Sequence, residues 1–341
     1  MFTYKETVDL LNGADDVWLY QTANQKKEEA YGKEVYLRAI IEPWNLCKNS
    51  CLYCGLRREN TSLTRFALDF DDIYQAGLGI VEHGITSLVL QAGEIIDNDK
   101  VKLVTRLIKE LKKATHADIT LSFGEHPDYV YEEWKDAGAD RYLLKIETLN
   151  ETVFKNARPG SSMPRRIDRI KKLIELGYQA GSGFIAGMPG YTNEMLAQDI
   201  LKLKDMGIHM FSLSPFINTK DTPWADEPRS YSDLVHRACA IYRILDPKVN
   251  IPVTSAMESL HPGSKAEGLK RGCNVLMHSF TPASVRKHYR IYDGKNTVGD
   301  EAENRIQAVK DMVSGIGLYI NKGEPGRSKK EICNGKYAKI S

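Results

Sequence analysis

Apolar positions along this chain follow two alternating rhythms. Short runs rich in β-branched and aromatic residues occur at 35–42, 87–92, 118–123, 141–148, 179–186, 210–217, 251–257 and 274–280. Between them lie stretches whose apolar residues recur every three or four positions, as at 101–114, 163–176 and 193–206. The first rhythm predicts strands and the second amphipathic helices. Gly84, Gly138, Gly177 and Gly207 each stand just ahead of a strand run, where glycine closes the preceding helix. Residues up to about 32 read as helices, with Asp15-Asp16 near a helix start.

Eight strands alternating with helices predict an α/β fold of parallel strands joined by right-handed crossovers. Eight is the number that closes a (βα)8 TIM-type barrel. A doubly wound open sheet is the alternative. The expected organisation is an N-terminal helical segment over 1–34, the barrel over 35–293, and a C-terminal helix and tail over 294–341. Either architecture places chemistry at the C-terminal ends of the strands. Small and polar residues gather there: Gly93-Glu94, Ser122, Glu147-Thr148, Ser214, Thr254-Ser255 and Ser279. Gly181-Ser182-Gly183 superficially suggests a nucleotide loop, but it falls within a strand run rather than between strand and helix.

Composition narrows the function classes. The chain has 341 residues, 42% hydrophobic and 27% charged, with net charge +2. No strong field or basic stripe points to nucleic acid or an anionic membrane. No run approaches the roughly 20 apolar residues of a spanning helix, and the N-terminus lacks an apolar signal core. A cytoplasmic protein is expected, and a reducing cytosol makes a disulfide framework unexpected. Of six cysteines, Cys239 and Cys273 read as small buried hydrophobes and Cys333 as a surface thiol.

The other three crowd together. Cys47, Cys51 and Cys54 have the spacing Cys-x3-Cys-x2-Cys, directly after the first barrel strand, with Tyr53 before the last. Thiolates suit iron–sulfur clusters or zinc. A structural zinc site is normally closed by four ligands, and the next histidine is His83. Three ligands on a four-iron cubane leave one iron open, as a catalytic metal requires. A zinc staple completed at a distance is the non-catalytic alternative.

The motif resembles the signature of the radical S-adenosylmethionine (SAM) superfamily. Stretches at 51–60, 89–94, 121–125, 137–144, 187–190, 214–217 and 251–257 extend the resemblance to its biotin synthase-like branch. Within that branch they are most similar to the HydE-like family of FeFe-hydrogenase maturases, and more distantly to methylornithine synthases. The resemblance implies a 4Fe-4S cluster on Cys47, Cys51 and Cys54, and reductive cleavage of SAM to a 5′-deoxyadenosyl radical. It implies oxygen sensitivity and an electron donor such as ferredoxin or flavodoxin. It places Tyr53 beside the adenine, Gly93 and Glu94 at the methionine ammonium, and Ser122 as a further polar contact. Glu147 would hold the ribose hydroxyls, and Arg166 would clamp the SAM carboxylate. On the substrate side it implies Lys145, Thr254, Ser255, Met277 and Tyr289, around a small amino-acid-derived or sulfur-containing molecule. His278 lies near the same mouth.

The substrate half departs from the maturase pattern. Lys145-Ile146-Glu147-Thr148 stands where that family has Arg-His-Glu-Thr. Asn218-Thr219-Lys220 lacks a histidine, and Glu258 and His261 are new. A peripheral cysteine group near the C-terminus is missing. The pattern fits a maturase or a paralogue acting on another small molecule. An amino-acid carbon-skeleton mutase is the alternative; sulfur insertion is weaker, because no ligands for a second cluster stand out.

Overall fold

The computed structural model describes residues 2–296, 302–321, 326 and 328–330. Two helices lead in: α1 (Tyr4–Leu11) and α2 (Asp16–Tyr31). Thr3 and Glu6 form a capping box on α1, and Asp15 caps α2 through the Trp18 N–H. Each cap satisfies backbone donors that a helix start leaves unpaired.

The strands are β1 (Glu34–Ile41), β2 (Ser87–Gln91), β3 (Asp118–Ser122), β4 (Arg141–Leu143), β5 (Gln179–Ser182), β6 (Ile185–Ala186), β7 (Met210–Phe211), β8 (Ser214–Pro215), β9 (Pro252–Val253), β10 (Val275–Ser279) and β11 (Tyr319–Ile320). The helices between them are α3 (Phe70–Glu82), α4 (Asn98–Thr115), α5 (Asp128–Asp136), α6 (Glu151–Ala157), α7 (Met163–Glu175), α8 (Asn193–Asp205), α9 (Ser232–Leu245), α10 (Ser255–Leu260), α11 (Ser264–Lys270), α12 (Ala283–Arg286) and α13 (Ala302–Gly315). Gly84, Gly138, Gly177 and Gly207 all take positive φ at the expected helix ends.

Hydrogen-bonded neighbours run β7-β5-β4-β3-β2-β1-β10-β9, and every ladder along that order is parallel. A parallel bridge between Met210 and Asn250 ties the two ends together. The sheet is therefore a nearly closed eight-stranded barrel rather than an open sheet. Leu88, Leu90, Ile119 and Leu121 face the helix layer from strand positions that are wholly buried, the continuous apolar run typical of a parallel sheet covered on both sides.

Four strand expectations need correction. The run 141–148 pairs as a strand only to Leu143; Glu147 takes φ +71° and rejoins through a bridge to Phe184. The run 179–186 divides at Gly183, whose Cα packs so closely that a Cβ there would lie 1.8 Å from the Ser212 carbonyl. The run 210–217 divides in register with it, β6 pairing with β8. The run 251–257 stops at Val253, because α10 begins at Ser255 and carries Met257 away as helix.

Beyond residue 293 the chain adds a strand as well as a helix. β11 pairs parallel to the start of β1. The Gly326 carbonyl then accepts hydrogen bonds from Arg38 (3.2 Å) and Asn250 (3.0 Å), and Ser328 bonds to Gln179 and the Lys248 carbonyl. Gly326 and Ser328 thus lie on the N-terminal floor of the barrel. Cys239 and Cys273 are buried as expected; Cys333 lies outside the described residues. Among the described residues no helix is long and apolar enough to cross a membrane.

Candidate active site

The loop from β1 to α3 carries the cysteine motif, and two side chains fix its path. Asn45 donates to the carbonyls of Thr64 and His288 (both 2.8 Å) and accepts from the Phe66 N–H. Arg65 donates to the carbonyls of Asn45, Leu56, Arg57 and Asn60. A guanidinium fork satisfying four turn carbonyls is a strong local clamp. Neither residue is part of the cysteine pattern, so sequence reasoning passes over both.

The loop presses against the end of β2. The Trp44 indole donates to the Gly93 carbonyl (2.8 Å), and the Lys48 N–H donates to the Glu94 carbonyl (2.8 Å). A Cβ at Gly93 would lie 2.1 Å from the Leu46 carbonyl oxygen and 2.8 Å from the Cys47 Cβ. Glycine here is a packing requirement of the cysteine loop.

Every residue expected to hold the cluster, SAM or substrate lines one cavity of about 290 Å³ at the C-terminal mouth of the barrel, whereas His278 does not line it. Cys47, Cys51 and Cys54 form one side, with Tyr53, Gly93, Glu94, Ser122, Glu147 and Arg166 around them. Lys145, Thr254, Ser255, Met277 and Tyr289 line the same cavity, Tyr289 packed beside Cys47 and Cys54 and Lys145 beside Glu147. Burial pushes the Cys47 and Cys54 thiols up, so a cation beside them is needed to favour thiolates. Among the described residues, no group of three or more His, Cys, Asp or Glu side chains is arranged to hold a single metal ion.

Charges alternate around the cavity. Glu94 lies 3.1 Å from Lys48. Burial raises its pKa, but Arg166, the Glu125 N–H, Arg158 and Lys48 outweigh that and hold the carboxyl below its ordinary range. Arg166 is buried and donates to Glu125 (3.0 Å) and to the Lys145 carbonyl (2.6 Å). Glu147 keeps one oxygen 3.5 Å from Lys145 without a hydrogen bond, and its positive φ is a strained backbone state that surrounding contacts must enforce. The Thr254 hydroxyl is buried with no partner. Such an atom invites a polar ligand.

Sequence reasoning missed two cations on this wall. Arg158 ends α6, is nearly fully buried, and donates to the Tyr53 hydroxyl at 2.9 Å. Burial opposes its charge, but Cys51, Tyr53, Glu147 and Glu94 more than compensate. Lys295 reaches Ser255 Oγ (3.4 Å), which in turn meets Tyr292 OH at 2.7 Å. Only the fold brings these residues to the cavity, and no local pattern announces them.

Asp199 on α8 secures the Glu147 turn. Its Oδ2 accepts from Thr148 Oγ1 (2.8 Å), the Leu149 N–H (2.7 Å) and Tyr191 OH (2.6 Å). Asp199→Ala would strand three buried donors and is expected to cost about 1–3 kcal/mol. Chemical denaturation with an unchanged slope should register that loss; wild-type stability would refute the network's role.

Residues 41–203 match the radical SAM superfamily. The chain is 37% identical over 325 residues to the FeFe hydrogenase maturase subunit HydE of Thermotoga maritima, covering 95% of this chain and 93% of that one. The chain belongs to the radical SAM superfamily, in its HydE-like branch. Two further relatives of this radical SAM enzyme share less identity with it. A 3-methylornithine synthase of Methanosarcina acetivorans is 22% identical, covering 88% of this chain and 84% of that protein. A biotin synthase of Acetivibrio thermocellus is also 22% identical, covering 94% and 95%. The crystal structure of a methylornithine synthase shares the fold with a TM-score of 0.79, at 19% identity and 94% coverage of each chain. Membership in the superfamily implies a 4Fe-4S cluster, SAM, a reductant and a small-molecule substrate.

Proposed function

We propose that Cys47, Cys51 and Cys54 hold the 4Fe-4S cluster and that SAM binds across it, toward β2, β3 and α7. The carrying observation is that the three thiols and the polar residues suited to SAM line one cavity at the barrel mouth. Among the described residues a single ion finds no ligand group, whereas a cubane offers each thiol its own iron. The chemistry available at such a site is one-electron cleavage of the SAM sulfonium to methionine and a 5′-deoxyadenosyl radical.

The chain's own residues bind, orient and exclude water. Glu94, held ionised by its cationic neighbours, receives the methionine ammonium, with Gly93 allowing close approach and Ser122 alongside. Arg166 spans toward the SAM carboxylate while Glu125 fixes its plane. Tyr53, braced by Arg158, flanks the adenine, and Glu147 accepts from the ribose hydroxyls. Lys145, Lys295, Thr254 and Ser255 give the cavity a positive, hydroxyl-rich lining suited to a small amino-acid-derived or sulfur-containing substrate, with Met277 and Tyr289 shaping it. Ferredoxin or flavodoxin supplies the electron at the cysteine loop, where Lys48 and Arg58 are exposed. Work in an anaerobic cytoplasm suits an open iron site.

Anaerobically reconstituted protein, reduced with dithionite, should hold about four irons per chain and form 5′-deoxyadenosine from SAM. Iron incorporation without SAM cleavage would overturn this reading. Adding lysine separates the maturase-like reading from the mutase one, which requires methylornithine as product. Arg166→Lys replaces a planar fork with a point charge, so SAM affinity should fall about 10–100-fold. Equilibrium dialysis with the reconstituted variant would detect this, and unchanged affinity would remove Arg166 from the clamp.

A further inference from the structure

A buried guanidinium stands beside the cysteine loop. Arg158 caps the end of α6, its N–H bonded to the Phe154 carbonyl, and the chain is fixed on both sides of it. The Ala157 carbonyl accepts the N–H of Leu52, directly after Cys51, at 2.9 Å, and the Arg158 carbonyl accepts the Ser161 N–H at 3.1 Å. Helix end and cysteine loop are thus joined through backbone, which holds the Arg158 side chain close to the motif.

That side chain is only partly satisfied. Its Nη1 donates to the Tyr53 hydroxyl at 2.9 Å. Its Nε is buried without a hydrogen-bond partner, although the residue lines the cavity of the three thiols. A buried cation with an unpaired donor is costly unless an anion faces it. Burial opposes the Arg158 charge, and Cys51 is foremost among the groups that favour it, ahead of Tyr53, Glu147 and Glu94. Both carboxylates already have an ammonium nearby: Glu147 lies 3.5 Å from Lys145 and Glu94 3.1 Å from Lys48.

Other cations near the loop are placed differently. Lys48 and Arg58 are exposed, so water and salt screen them. Arg65 directs its guanidinium to four carbonyls, and Arg166 donates to Glu125 and the Lys145 carbonyl. A 4Fe-4S cubane on three thiolates is anionic, and its reduction adds one more negative charge. A buried cation favours the more negative state, and local charge is one of the levers that set a cluster's potential.

We propose that Arg158 raises the reduction potential of the cluster, its buried charge offsetting the electron that reduction adds beside Cys51. The inference rests on the assignment of the three cysteines to a 4Fe-4S cluster. It gives Arg158 a role apart from bracing Tyr53, and the two are separable, because Tyr53→Phe removes the hydrogen bond and leaves the cation.

Potentiometric titration of the reconstituted full chain without SAM, followed by electron paramagnetic resonance of the reduced cluster, reads the effect. Arg158→Met should lower the ratio of reduced to oxidised cluster at a fixed potential at least about tenfold, a shift of about 59 mV for a one-electron couple. Arg158→Lys, which keeps the charge, and Tyr53→Phe should each stay within about threefold of wild type. Iron content, measured first on every protein, separates two kinds of failure. Wild type without a cluster would overturn the cysteine assignment itself. A loaded Arg158→Met at the wild-type potential, or Arg158→Lys or Tyr53→Phe shifted as far as Arg158→Met, would overturn this inference alone. If Arg158→Met loses its iron, Arg158→Gln, neutral but still able to donate to Tyr53, is read in the same way. Loss of iron from both would make the side chain a structural prop and likewise overturn the inference.

Discussion

Cys51→Ala is expected to give a folded protein that retains no cluster and forms no 5′-deoxyadenosine. Cys51 is the most buried of the three motif cysteines, and its thiolate has no substitute among the cavity-lining residues. Two ligands cannot grip a cubane, so the iron should be lost rather than shifted. The loop itself should persist, because Asn45 and Arg65 hold its carbonyls without help from the thiol. Turnover should fall at least about 1,000-fold, equivalent to about 4 kcal/mol of transition-state stabilisation. Iron analysis, visible absorption and the SAM-cleavage assay should change together while the far-ultraviolet circular dichroism does not. A variant with full iron and wild-type cleavage would remove Cys51 from the ligand set.

The next largest effect is expected at Gly93→Val, through a different cause. The added Cβ would meet a backbone carbonyl at 2.1 Å, not the end of a flexible side chain that could turn away. Either the cysteine loop lifts or the end of β2 retreats. Both break the Trp44 and Lys48 hydrogen bonds that join loop to strand. Overpacking of this kind costs about 3 kcal/mol at the upper end of its usual range. Thermal unfolding should show the loss, and iron content after reconstitution should fall well below that of wild type. A valine variant with normal iron content would show that the loop tolerates displacement.

The cysteine motif was legible because its spacing is short-range and its chemistry specific. The αβ turns were legible because Gly84, Gly138, Gly177 and Gly207 carry a backbone requirement in their own identity. The SAM-side residues came from resemblance, and the fold gathers them at one mouth. What stayed hidden depends on distant partners. Arg158 gains its place only when α6 meets Tyr53, and Lys295 only when the chain after β10 returns to Ser255. The run 251–257 breaks at Thr254, the N-cap of α10, and no side-chain cap marks that helix start in the local sequence. Glu147 resembled a strand residue by composition, whereas Asp199, some fifty positions later, holds the turn beside it.

The closure of the barrel floor has a kinetic consequence. Arg38 is buried against the Gly326 carbonyl, 288 positions further along the chain, and a Cβ at Gly326 would press into Tyr36 at 2.5 Å. During synthesis at about 5–20 residues per second, that partner emerges roughly 15–60 seconds after Arg38 does. For that interval the nascent barrel leaves the Arg38 cation without this carbonyl, while the β1 edge stays open only until β10 (Val275–Ser279) emerges. Substituting Gly326 would prolong the exposure indefinitely, so it should raise aggregation during expression more than it lowers the stability of molecules that have already folded.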